Sequence, residues 1–179
     1  MNHIFNETSP HSPPQEADEL YQQSLPLISG GSLSLSTLSL RALLIVNTAS
    51  RCGFTPQYQQ LEELHQLYHS RGLSVIGCPC GQFGGQELGS NDDIARFCQR
   101  TFEVSFTLTE KLKVNGADAH PLFTLLKQRA PGLMNTQAIK WNFTKFLIAP
   151  KATMIKRYSP QTSPQSLTKE IEQILHSVD

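Results

Sequence analysis

The sequence has no surplus charge of either sign: fifteen Lys and Arg residues balance fifteen Asp and Glu residues over 179 positions. No Lys/Arg cluster stands out either, so the chain offers no footprint for a nucleic acid or an anionic membrane surface, and the expected partners are small molecules or proteins. A long apolar run is also missing. Residues 25–46 are nearly uncharged, but Ser29, Ser32, Ser34, Ser36, Ser39 and the Gly30-Gly31 pair interrupt them, which argues against stable membrane insertion. The first nineteen residues lack the basic start and apolar core of a secretory leader. Pro10, Pro13, Pro14 and their polar neighbours read instead as a disordered tail over 1–19, leaving 20–179 as one domain. Cysteine is limited to four residues, and without a leader these are expected to be reduced thiols of a cytoplasmic protein rather than a secreted disulfide framework. No internal repeat is found.

What is present is an alternation of strand and helix signals. Leu33, Leu35, Leu38 and Leu40 have strand-like spacing after a turn at Gly30-Gly31. Ala42 to Val46 is a short apolar run suited to a strand buried on both faces. Thr55-Pro56 reads as an N-cap with proline at the first helical position, and Leu61, Leu64, Leu67 and Tyr68 supply the stripe of a helix that ends by Gly72. Leu73 to Gly77 is a second buried strand, which predicts a right-handed βαβ unit. Ser90-Asn91-Asp92-Asp93 caps a helix carrying Ile94, Phe97 and Cys98, and Val104 to Leu108 reads as a further strand. Pro121 to Arg129 is a third helix and 131–139 a loop. Phe146 to Ile148 with Thr153 to Tyr158 form a closing hairpin, and Leu167 to Leu175 a final helix. The order predicts an α/β protein of the thioredoxin-like fold, with a central mixed β-sheet flanked by helices.

Cys52 follows the first buried strand and precedes a helix, where unpaired backbone N–H groups and the helix dipole favour an anion. Only the thiolate is a good nucleophile, and at a pKa of about 8.5 roughly three per cent of a thiol is ionised at neutral pH. Position alone leaves two readings open, a reactive thiolate and an inert buried cysteine. The sequence Cys52-Gly53-Phe54-Thr55 is not Cys-x-x-Cys, so any partner sulfur comes from elsewhere. Cys78-Pro79-Cys80 has no second Cys/His pair at zinc spacing, so no metal is expected. Taken by themselves, Trp141 reads as a core aromatic and Gln86 as a polar loop residue.

Four blocks change those readings. Leu43 to Thr55, which contains Asn47-Thr48-Ala49-Ser50-Arg51-Cys52-Gly53-Phe54-Thr55, resembles the active-site signature of glutathione peroxidases. Pro79-Cys80-Gly81-Gln82-Phe83-Gly84-Gly85-Gln86-Glu87 is similar to the second signature of that family and Lys140-Trp141-Asn142-Phe143-Thr144-Lys145-Phe146-Leu147 to the third. Val114-Asn115-Gly116 with Asp118-Ala119-His120-Pro121-Leu122 is a fourth match, and the blocks stand in family order from about Leu20 onward.

The resemblance implies a thiol-dependent peroxidase acting on hydrogen peroxide and organic or lipid hydroperoxides, with Cys52 as the attacking residue and Gln86, Trp141 and Asn142 as its polar neighbours. Their amide and indole N–H groups can stabilise a thiolate and the charge that develops on the departing oxygen. Cysteine stands where many members carry selenocysteine, so the first product is a sulfenic acid, and neither metal, haem nor selenium is implied as cofactor. Phe97-Cys98-Gln99 resembles the resolving site of the thioredoxin-dependent branch. That implies a Cys52–Cys98 disulfide recycled by thioredoxin, with local unfolding of residues 92–100; Cys98 as a helical core residue and glutathione as reductant remain the alternatives. With a short 132–139 segment in place of the longer interface loop of tetrameric family members, the chain resembles the small, monomeric kind. The sequence departs from the family pattern at Gly81, Cys78 and Thr48, which leaves the stiffness of the loop around Gly81 open, and Cys78 reads as a packing residue. A peroxide sensor using the same disulfide, or an inactive structural relative, are the competing functions.

Overall fold

The computed structural model describes residues 18–177, and of the tail expected over 1–19 residues 1–17 lie outside them. Asp18 and Glu19 belong to the folded part: the Asp18 carboxylate accepts from Leu20 N, and Arg129 of the third helix pairs with it at 2.7 Å.

Strands β1 (Ser24–Pro26) and β2 (Ser32–Ser34) form an antiparallel hairpin whose turn uses positive φ at Gly30 and Gly31. The leucine spacing beyond it does not continue the strand. Leu33 lies in β2 and pairs with Leu25, but Leu35–Leu38 is a 3-10 turn in which Leu35 enters the core, and Leu40 is left exposed, so the alternation reflects sheet pairing at Leu33 alone.

The main sheet holds β3 (Ala42–Thr48), β4 (Leu73–Pro79), β5 (Thr107–Leu108), β6 (Lys145–Ile148) and β7 (Ile155–Tyr158) in the order β5-β4-β3-β6-β7. β3, β4 and β5 run parallel, and β6 and β7 add an antiparallel edge. Helix α1 (Gln57–Tyr68) makes the β3-α1-β4 crossover expected from the sequence. α2 (Asn91–Phe102) is capped as expected by Ser90, whose hydroxyl accepts from Asp93 N at 3.1 Å. α3 spans Pro121–Arg129 and α4 Thr168–His176. The strand expected from Val104 shrinks to Thr107–Leu108, because Val104 N is spent on the last turn of α2.

Side chains of β3 alternate between two apolar layers. Leu44 and Val46 join Leu61, Leu64, Cys98, Ile171 and Ile174, whereas Leu43 and Ile45 join Phe123, Leu126, Cys78 and Cys80. Each of these four β3 residues is fully buried, which is worth roughly 1.5–3 kcal/mol apiece. This alternation puts Cys98 on one side of the sheet and Cys78 and Cys80 on the other.

Two local expectations fail at α1. Leu67 points to solvent, because the stripe that packs is Leu61, Leu64 and Tyr68. Thr55 is not the helix cap. Its hydroxyl reaches back across the turn, donating to Ala49 O and accepting from Cys52 N, both at 2.9 Å, so the helix starts two residues later at Gln57.

Candidate active site

Cys52 lies on the turn between β3 and α1, partly exposed and packed against the edge of the apolar layer that contains Cys98. Thr55 closes that turn through its hydroxyl and through its N–H, which donates to Cys52 O at 3.0 Å. The same winding aims Phe54 N–H at Cys52 Sγ, 3.4 Å away. A backbone donor therefore reaches the sulfur.

The two residues before Cys52 are fixed from the loop after β4. Arg51 N donates to Gln86 O at 2.9 Å, and Ser50 gives both its N–H and its hydroxyl to Glu87 Oε1, at 3.1 and 2.6 Å. Positive φ at Gly84 and Gly85 lets that loop turn back under the site. A Cβ at Gly84 would stand 3.3 Å from the Trp141 ring, so the glycine also permits close approach of the indole. The stiffness left open by Gly81 is supplied by Gln82, whose amide accepts from Val114 N and Asn115 N and donates to Asn115 O.

Trp141 and Asn142 arrive on the segment before β6. Asn142 is fully buried and its Nδ2 donates to Gln86 Oε1 at 3.0 Å, which turns the Nε2–H donors of Gln86 outward from that bond. Trp141 is partly exposed, and its carbonyl accepts from Asn47 Nδ2 at the end of β3. The four residues singled out from the sequence thus converge through short links: Cys52 through Arg51 to Gln86, Gln86 to Asn142, and Trp141 to β3. In this arrangement Asn142 donates to Gln86 and the sulfur receives Phe54 N–H.

Cys98 faces inward from α2 and is nearly inaccessible. Burial pushes its thiol up to about 11, partly offset by the neighbouring Tyr58 hydroxyl. Cys78 is pushed up by burial to about 12, and burial also raises Cys80. All four thiols are free, and of the other three only Cys98 shares an apolar layer with Cys52. Among the described residues no group of three or more His, Cys, Asp or Glu side chains comes together as a metal site, and no helix is long and apolar enough to cross a membrane.

Two residues of the site carried no role in the sequence reading. Glu87 is buried and accepts three bonds on one oxygen, from Ser50 N, Ser50 Oγ and Leu88 N; burial raises its pKa against the opposing pull of those donors. Lys145 is fully buried in β6. Both stand inside the quoted blocks, and the signal was a charged side chain within an otherwise apolar or glycine-rich stretch.

A sheet with a parallel core, an antiparallel edge and helices on both faces defines the thioredoxin-like fold, with Cys52 at the exit of its central strand, and a putative thioredoxin from Neisseria meningitidis shares that fold at TM-score 0.63 and 16% identity, covering 88% of this chain and 89% of that one. The sequence pattern of the family described as glutathione peroxidase matches residues 20–127. A glutathione peroxidase homolog, BsaA, of Halalkalibacterium halodurans is 48% identical over 87% of this chain and 99% of its own. A glutathione peroxidase-like peroxiredoxin of Chlamydomonas reinhardtii is 48% identical over 89% and 98%, and a hydroperoxy fatty acid reductase of Synechocystis 42% identical over 90% and 98%. The crystal structure of T. cruzi GPX1 has TM-score 0.72 at 35% identity, covering 88% of this chain and 96% of that one. The chain belongs to the glutathione peroxidase family and is a peroxidase.

Proposed function

We propose that this enzyme reduces hydrogen peroxide and organic or lipid hydroperoxides through Cys52. The observation that carries the assignment is the partly exposed Cys52 with Phe54 N–H directed at its Sγ, on a turn braced by Gln86. The thiolate attacks the terminal peroxide oxygen. An S–O bond forms, the O–O bond breaks, and the departing oxygen takes a proton to leave as water or an alcohol. The Gln86 and Trp141 N–H groups are the donors for the charge on that oxygen, with Asn142 orienting Gln86. A groove of about 610 Å³ beside Trp141, lined by Pro131, Leu133, Met134 and Pro160, supports bulky apolar hydroperoxides as substrates.

Cys52 is left as a sulfenic acid. In the resolving step Cys98 sulfur attacks it, an S–S bond forms and water leaves, and a dithiol protein of the thioredoxin class then returns two electrons by disulfide exchange. The placement of Cys98 in the layer that Cys52 packs against supports this choice over Cys78 and Cys80. Because Cys98 is buried within α2, closure of the disulfide requires that helix to open locally. The scheme uses no metal, haem or selenium and suits a monomer in a reducing cytoplasm. The experiment is a donor comparison, glutathione against thioredoxin, on wild type and Cys98→Ser. Turnover with thioredoxin that disappears in Cys98→Ser is the expected result; full thioredoxin turnover in the variant defeats the resolving role.

A further inference from the structure

The Lys145 ammonium lies at the point where three segments of the site meet. Its Nζ donates to Phe143 O at 2.6 Å, to Gln57 Oε1 at 2.8 Å and to Pro160 O at 3.3 Å, and Gln57 Nε2 donates to the same Pro160 carbonyl at 2.7 Å. Three N–H groups thus meet three neutral oxygens, which is the full donor capacity of an ammonium. Phe143 has a φ of 62°, a left-handed conformation that a bulky residue holds only when its surroundings impose it. Its two backbone groups are both clamped, N–H by Asn47 O at 2.6 Å and carbonyl by Lys145. The residue immediately before Phe143 is Asn142, which bonds Gln86, and Gln57 is the first residue of the helix that follows the Cys52 turn.

We propose that Lys145 is a positioning residue of the peroxide site, its ammonium locking the Phe143 turn that aims Asn142 at Gln86 and tying that turn to the start of α1 behind Cys52. The inference rests on the peroxidase reading of Cys52. The lock depends on protonation, since a neutral amine has one donor fewer and turns a lone pair toward one of the three oxygens. Around it, Gln57 on α1 and Pro160 after β7 are neutral. Its ladder partners are Val46 on β3 and Tyr158 on β7, the latter with its hydroxyl bonded to Glu170. Among the described residues no carboxylate pairs with the ammonium, and burial lowers the Lys145 pKa, to about 7.

The test combines the pH profile of Cys52 oxidation by peroxide, measured in single turnover, with NMR of the Lys145 side chain in the wild-type protein. The expected profile has a descending limb whose midpoint coincides with the Lys145 titration. Lys145→Met is expected to oxidise about tenfold to a hundredfold more slowly on the acid side of that midpoint and to lack the limb. A wild-type profile with no limb tracking Lys145 overturns the proposal, whether or not Lys145→Met folds, and so does a folded Lys145→Met with wild-type rates and profile. A wild-type Cys52 inert to peroxide at every pH instead overturns the peroxidase reading beneath it, so the two failures are distinguishable.

Discussion

Asn142 Nδ2 and Gln86 Oε1 are joined by a 3.0 Å hydrogen bond between a fully buried residue and a half-buried one on the loop after β4. Gln86 also accepts Arg51 N–H on its backbone carbonyl, so one residue links the turn of Cys52 to the segment of Trp141. The bond spends the oxygen of Gln86 internally and leaves its Nε2–H groups outside that bond.

Gln86 and Asn142 are therefore expected to act as a unit. Asn142→Ala and Gln86→Ala each slow Cys52 oxidation by about 10²-fold, the scale of losing one donor to developing charge. The double variant loses less than the sum, with a coupling energy of roughly 1–2 kcal/mol in a double-mutant cycle. Additive losses in stopped-flow measurements would show that the two side chains work separately.

Glu87 separates geometry from charge. Glu87→Ala leaves both Ser50 donors without their acceptor and is expected to cost about 1–3 kcal/mol in denaturant unfolding. Glu87→Gln keeps an oxygen in place. Burial raises the Glu87 pKa in the folded state, so ionisation of this residue opposes folding as pH rises through its unfolded pKa. Glu87→Gln is thus expected to match or exceed wild-type stability at neutral pH, and a loss equal to that of Glu87→Ala would contradict this account.

At Gly84 a side chain meets both a positive φ of 64° and the Trp141 ring at 3.3 Å. Gly84→Ala is expected to destabilise by about 1 kcal/mol and to displace the indole. Trp141 is the sole tryptophan of the chain, so its fluorescence reports the displacement directly, and an unchanged emission spectrum would refute it.

The buried thiols predict an alkaline limit to stability. Cys98 is moved by burial from 9.0 to about 11 and Cys78 from 9.0 to about 12. With the folded value raised, their contribution is intact below pH 9.0 and is lost as the unfolded chain ionises while the folded one does not. Cys98→Ser is expected to lessen the fall between pH 9.0 and about 11, by roughly 2–3 kcal/mol at the upper end. Equal alkaline slopes in variant and wild type would argue against it.

The β3-α1-β4 unit, the Ser90 cap and the bounds of α3 were legible because apolar periodicity and local capping decide them. The start of α1 was not. Thr55 has the chemistry of a cap, but Ala49 O and Cys52 N, brought close by the turn, claim its hydroxyl first. Of the leucines from Leu33 to Leu40 only Leu33 is in a strand, and the rest mislead for a related reason: their spacing cannot distinguish a strand from a 3-10 turn that buries Leu35 and exposes Leu40. At the site, Cys52, Gln86, Trp141 and Asn142 were recognisable as matched motifs. Lys145 and Glu87 were not assigned roles, since what makes them matter is the convergence of Gln57, Phe143 and Pro160 on one and of Ser50 on the other. Apart from the Phe143 carbonyl, two residues from Lys145, those contacts span distant parts of the chain, and a charged side chain in an apolar or glycine-rich stretch is their one local sign.

The central claim is that Cys52 takes the peroxide oxygen and passes its oxidation to Cys98. Peptide mapping by mass spectrometry after one equivalent of hydroperoxide, with wild type and Cys98→Ser alkylated in parallel, tests it most directly. The account predicts a Cys52–Cys98 disulfide in the wild type and a trapped Cys52 sulfenic acid in the variant. Oxidation first appearing on Cys78 or Cys80, with Cys52 still open to alkylation, would contradict it.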